Sequence, residues 1–289
     1  IYPDLLESQK RIILVTGDSV KSSPINSLGI SEKKFIELKK QKIIYHWFCQ
    51  NIDVSVSDYV TPIPLGIDFH TIHQKRYWRE YKTHYVLQDL FLNTISFKRF
   101  TDFDKRKYSL FCDIHHNLEN SHKDRRIAYE KTLNLDNVNF LKEKVSRNNF
   151  WKKTRNAKFI ISPRGFGLDC HRTWEALALG VVPIIKTSKL DNLFVNLPVL
   201  IVNSYSEINN NLLNFYNLPK DYNLKSLTLT YWLDLIYRKK RDLKSNLETK
   251  ISLNKDFKEL SSINLFRDFI KVFLNNIKIH PLLILILIG

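Results

Sequence analysis

Residues 162–185, SPRGFGLDCHRTWEALALGVVPII, set Arg164, Asp169, Cys170, His171, Arg172 and Glu175 between two apolar runs. A chain ordinarily keeps such side chains on its surface, so their placement asks for a ligand. Gly165 and Gly167 let the backbone pass close to one. The guanidinium forks of Arg164 and Arg172 match phosphate oxygens. A helix starting near residue 170 adds free N–H groups and a positive dipole end, which also favour phosphate. Glu175 follows Arg172 by three residues and His171 by four, so the three share roughly one helix face. A carboxylate there can accept two hydrogen bonds from a ribose diol. The set, with Asp169 beside it, reads as a holder for a nucleoside diphosphate. An internal Arg172–Glu175 ion pair supporting the helix is the competing reading. His171 suits a general acid/base or a hydrogen-bonded structural histidine. Trp174 and Cys170 suit the core.

The elements that must position this stretch are legible on both sides of it. RIILVTGD (11–18) reads as a buried strand entering a Gly/Asp turn. SEKKFIELKKQ (31–41) carries helix signals, with Ser31 as cap and Phe35 and Leu38 three apart. KIIYHWF (42–48) and DYVTPIPLGID (58–68) are the next strands, and 79–93 a helix. The charged stretch FKRFTDFDKRK (97–107) breaks the pattern and suggests a domain boundary. Beyond it come a strand at 108–113, helices at 124–133 and 147–156, and a strand at 157–163. A helix at 170–180 stopped by Gly180, strands at 181–186 and 198–203, and a largely helical end from about 227 complete the pattern. Strand–helix alternation on both sides predicts an α/β protein with two Rossmann-like domains facing a cleft. The expected domains are 1–100 and 105–275, followed by an apolar tail at 276–289. LLILILI (282–288) in that tail is too short for a spanning helix, which needs about 20 residues. It suits a terminal strand or the stump of a longer segment.

Composition narrows the partners. Lys+Arg is 45 against Asp+Glu 29, a net charge of +16, which favours nucleic acid, a membrane surface or phosphorylated small molecules. The basic stretch KEKVSRNNFWKKTRNAK (142–158) reads mainly as a solvated helix face. Cys49, Cys112 and Cys170 are too few and too scattered for a disulfide framework or a thiolate zinc site. No G-x-x-x-x-G-K-[ST] and no G-x-S-x-G occurs, which disfavours a P-loop kinase and an α/β-hydrolase nucleophile.

At 162–185 the residues SPRG-G-DCHRTWEAL-LG-VPI resemble the donor-binding motif of exostosin-like glycosyltransferases. The looser pattern, Glu-Ala-Leu then Gly then Pro, is similar to the C-terminal half of GT-B sugar transferases generally. KRKYSLFCDIHHN followed by DRR resembles the opening strand of the family's donor domain and the arginine after it. VTGDS, HWFCQN and IPLGIDFH look like segments of its N-terminal half, so the resemblance covers most of 11–210. The N-terminal half is short beside a full GT-B acceptor domain. The resemblance implies a two-domain GT-B enzyme that moves a sugar, hexosyl or pentosyl, from a nucleotide-sugar to a hydroxyl of a glycan or glycoprotein. It implies inversion, no metal and no cofactor beyond the donor, with Arg164, Arg172 and Glu175 around the nucleotide and diphosphate. It does not choose between the cytoplasm and a Golgi-type membrane.

An inverting transfer needs a base for the acceptor hydroxyl and positive groups for the departing diphosphate. Asp68 and His70, in PLGIDFH, are the first candidates for the base and are expected from the domain facing the donor. Asp18 is the second. Asp113, in CDIHHN, suits the donor cleft or a plain turn; with His115, His116 and His122 it matches no zinc spacing. Of Arg125 and Arg126 one is expected on the diphosphate, with Arg125 favoured. Asp102 and Asp104, in DFD, sit in a charged linker and read as chance. The alternative to an enzyme is a non-catalytic basic protein that binds nucleic acid or an anionic glycan. Exposed aromatics interleaved with basic residues would mark a nucleic-acid binder, and Phe150 and Trp151 offer little of that.

Overall fold

Short runs of β-branched and aromatic residues become strands, and the polar-apolar stretches between them become helices. The computed structural model describes residues 11–17, 31–41, 44–52, 58–74, 81–96, 99–113, 123–165, 167–253 and 283–287. In chain order the elements are β1 (Ile12–Thr16), α1 (Glu32–Gln41), β2 (Ile44–Cys49), β3 (Val60–Pro62), α2 (His70–Gln74) and α3 (Tyr85–Ile95). Next come β4 (Tyr108–Cys112), α4 (Lys123–Thr132), β5 (Val138–Phe140), α5 (Arg147–Arg155), β6 (Ala157–Ile161) and α6 (His171–Ala178). The chain continues through β7 (Val182–Lys186), β8 (Leu200–Val202), α7 (Asn210–Asn214), α8 (Leu229–Leu253) and β9 (Leu283–Leu287). The α/β class with parallel sheets, expected from the sequence, is what the chain adopts.

Two compact units result, one of Ile1–Ile63 with Leu229–Gly289 and one of Pro64–Thr228. The first holds a sheet in the order β3-β2-β1-β9, with β1, β2 and β3 parallel and β9 antiparallel to β1. Ile13 and Phe48 pack with Leu243 of α8, and Val15, Tyr45, Ile63, Leu235 and Ile236 close around them. Phe35 of α1 meets Trp47 and Tyr59, each with ring centroids 5.8 Å apart.

The second unit holds five parallel strands in the order β5-β4-β6-β7-β8. Side chains alternate across it as a pleated strand requires. Leu110, Cys112, Phe159 and Ile161 join one buried layer with Ala128, Val182 and Tyr205. Phe111 and Ile160 join the other with Trp151, Ala176 and Leu179. Both faces are covered, which is why these strands read as continuous apolar runs.

The chain does not divide near residue 100, as the charged stretch had suggested. Ile67, Phe69, Phe91, Leu92 and Ile95 belong to the same apolar layer as Phe111 and Trp151. The charged stretch itself forms a 3₁₀ segment, Arg99–Lys105, whose Phe100 and Phe103 are buried in the opposite layer. Its acidic residues make ion pairs, Asp102 with Arg155 at 2.6 Å and Asp104 with Lys158 at 3.4 Å. Two buried phenylalanines outweigh a run of exposed charges in deciding where this segment belongs. Nor does the last part of the chain follow the second sheet: α8 packs on β1 and β2.

Candidate functional site

In sequence terms the five parallel strands run 2-1-3-4-5, so the winding reverses direction between β4 and β6. Ligands of such sheets bind beyond the carboxyl ends of the strands at that reversal. Asp113 follows β4 and Ser162–Gly165 follows β6 at this point. Thr187 follows the next strand, β7.

Three arginines have their partners at these strand ends. Arg172, second in α6, has its Nε 2.9 Å from Asp113 Oδ2 and 2.7 Å from Oδ1. Arg164 donates from Nη2 to the Thr187 carbonyl. Its Nε is buried without a hydrogen bond among the described residues, an unsatisfied donor at the mouth of the sheet. Arg125, on α4, donates from Nε to the Arg164 carbonyl at 3.1 Å. A Cβ on Gly165 would stand 3.3 Å from Arg125 Nη2, so glycine lets this guanidinium lie against the loop. Among the described residues, Arg172–Asp113 is the one ion pair these three arginines make. Arg125 and Arg164 make no ion pair among the described residues, so the loop after β6 is left positive, and α6 follows it with the N–H groups of its first turn.

A second constellation lies at the same helix start. Asp68 accepts from Thr71 N through Oδ1 at 3.0 Å, as a residue capping a short helix does. The same oxygen lies 2.9 Å from His70 Nδ1. Arg147, first in α5, reaches Asp68 Oδ2 at 3.2 Å and Glu175 Oε1 at 2.7 Å. Burial works to raise the Asp68 carboxyl, but the His70 and Thr71 hydrogen bonds and the Arg147 charge outweigh it and hold it well below the usual carboxylate range. Burial pushes Glu175 up, against the pull of Arg147. His171 donates from Nδ1 to the Gly66 carbonyl at 2.7 Å, and its ring centroid is 6.1 Å from that of His70.

Comparison with protein-family models and with curated proteins returned no match. The residues themselves carry the functional reading.

Of the residues singled out in the sequence, Arg164, Gly165 and Arg125 meet at the loop after β6, and Arg172 pairs with Asp113 after the neighbouring β4. Gly167 lies in the bend just before α6. Asp169 is turned inward. It accepts from Leu65 N at 2.7 Å, Cys170 N at 2.7 Å and Trp174 Nε1 at 2.8 Å, and is 5% exposed. Burial raises its carboxyl, opposed by those donors. It joins the 64–69 segment to the start of α6 instead of facing a ligand. Glu175 is 6% exposed and paired with Arg147, so neither the ribose contact nor the Arg172 ion pair describes its hydrogen bond. Asp68 and His70 belong to the same unit as the arginines, not to the other one. Asp18, His115, His116 and His122 lie outside the described residues. Among the described residues no group of three or more His, Cys, Asp or Glu is placed to hold a metal ion, and no helix is long and apolar enough to cross a membrane.

Arg147 escaped the sequence reading because the whole 142–158 stretch reads as a solvated basic face. One signal was available. With Ser146 as the cap, Arg147 becomes the first residue of the helix, where the dipole disfavours a cation. A cation there needs a carboxylate partner.

Proposed function

We propose that this protein is a glycosyltransferase that uses a nucleotide-sugar donor and transfers the sugar to a hydroxyl of a glycan or glycoprotein. The observation that carries this reading is the placing of Arg125 and Arg164 together at the loop after β6, and of Arg172 with Asp113 at the end of the neighbouring β4, on the two sides of the reversal of the sheet. That surplus of positive charge suits a diphosphate, and the resemblance of 162–185 to exostosin-like donor motifs points the same way. The two-domain GT-B arrangement and the inverting outcome belong to this proposal.

In the proposed reaction the donor diphosphate lies against Arg164, Arg172 and the first turn of α6. The acceptor oxygen attacks the anomeric carbon from the face opposite the diphosphate. The new C–O bond forms as the bond to the diphosphate oxygen breaks, and that oxygen keeps the electron pair. The three guanidinium groups take up the added charge, which is their contribution to the rate. The acceptor hydroxyl gives its proton to His70, whose Nδ1 is engaged by Asp68. Asp68 is a poor base because its carboxyl is held so low.

Calorimetry with uridine and guanosine diphosphates and their sugars tests the reading. The full chain should bind at least one of them. Arg164→Ala should weaken it by about 10- to 100-fold, the worth of one charged hydrogen-bonding contact. Absence of binding to every nucleoside diphosphate, with steeply salt-dependent binding to duplex DNA, would replace the transferase by a basic binding protein.

A further inference from the structure

Arg147 makes more bonds to the 68–70 turn than a single ion pair requires. Its Nη1 lies 2.7 Å from Glu175 Oε1 and 2.7 Å from the Asp68 carbonyl oxygen. Its Nη2 lies 3.2 Å from Asp68 Oδ2. It thus holds both the backbone and the carboxylate of Asp68, and Glu175 holds it in turn. The planar fork of arginine allows this three-point grip; a lysine ammonium offers one point charge on a flexible stem. Its guanidinium also lies over the Trp151 ring, 5.6 Å from the centroid, on its own helix.

The consequence falls on His70. Asp68 Oδ1 lies 2.9 Å from Nδ1, and an ionised carboxylate only accepts, so Nδ1 carries the proton. In the neutral ring the basic lone pair is then on Nε2. The side chain is 56% exposed.

We infer that Arg147 is a positioning residue: held by Glu175 and gripping Asp68 by both its carbonyl and its carboxylate, it fixes the tautomer and direction of the His70 ring, and so selects the nitrogen that receives the acceptor proton. The proton-accepting role rests on the transferase reading; the control of the tautomer does not. Glu175 belongs to this support, at one end of a Glu175–Arg147–Asp68–His70 chain that spans α6, α5 and the 68–70 turn.

The experiment is ¹⁵N-histidine NMR on the full chain, with the His70 resonances assigned from His70→Gln and spectra taken where the ring is neutral. The wild type should show the proton on Nδ1. Arg147→Gln should abolish that preference and give a mixture of tautomers, and Arg147→Lys should restore it only in part. Glu175→Gln, nearly unchanged in shape, removes the charge that holds Arg147 and should weaken the same preference, which decides the question if Arg147→Gln does not fold. A wild-type proton on Nε2, or the same tautomer in wild type, Arg147→Gln and Glu175→Gln, overturns the inference. With a donor found by calorimetry, Arg147→Gln should lower kcat by about 100-fold or more, the worth of a general base, and leave diphosphate affinity unchanged. Lost diphosphate affinity with an unchanged tautomer would assign Arg147 to the donor instead. Absence of any transfer by the wild type would overturn the proposed function and leave the tautomer result standing.

Discussion

Asp169 illustrates how a polar residue in an apolar run can serve the fold. Its sequence neighbours are two glycines, a histidine and two arginines, so a ligand contact was the natural expectation. Its oxygens instead receive Leu65 N, Cys170 N and Trp174 Nε1 in a buried setting. Asp169→Ala would leave those donors without an acceptor and should cost about 2–3 kcal/mol, read as a lower midpoint in urea unfolding. The sequence could not separate Asp169 from Arg172, because residue type and spacing give the helix face but not which polar group turns inward. Glu175 shows the same limit. Its place on α6 was legible, whereas its partner lies 28 residues earlier on another helix. The place of Arg164 and Arg172 beside the turn after β6 was legible from the glycines, whereas their partners, Thr187 and Asp113, were not, because both lie on other strand ends.

At the scale of elements, strand and helix positions followed from apolar runs and capping residues. β6, α6 and β7 fall almost where the sequence put them, since a buried parallel strand is a continuous apolar run. β5 was missed. Its three residues, Val138–Phe140, are only half buried and give too short a run to register. The loop between β6 and α6 offers its own test. Gly165→Ala puts a methyl 3.3 Å from the far end of Arg125, which can swing away at little cost to the fold. The variant should unfold at nearly the wild-type temperature and yet bind nucleoside diphosphates several-fold more weakly, by calorimetry. Equal binding would show that Arg125 does not need its place against the loop.

At the scale of the whole molecule, the α/β class was legible and the division of the chain was not. Composition shifts marked residues 97–107, but burial of Phe100 and Phe103 decides their membership, and a charge count does not report burial. The first unit carries its own pH response. Burial, with Lys239 adding to it, lowers the buried His46 from 6.5 to about 4. The unfolded chain therefore takes up a proton below 6.5 that the folded chain refuses until about 4, and stability is lost as pH falls through that window. His46→Gln keeps a polar group near Thr61, whose hydroxyl lies 2.8 Å from the ring nitrogen. It should flatten that part of the curve, measured by thermal unfolding across the window; an unchanged slope would assign the acid response elsewhere.

The route of the chain also sets an order of events at the ribosome. The polypeptide leaves its first sheet at Ile63, lays down all of Pro64–Thr228, and supplies α8 and β9 only afterwards. Synthesis adds about 5–20 residues per second, so the nascent β1 waits many seconds for the strand that covers its open edge. The later-made unit is complete in one piece and can mature first. The sheet of β1, β2 and β3 is begun before Pro64–Thr228 is made and receives β9 only after it, so its β1 edge stays open to other chains in the meantime.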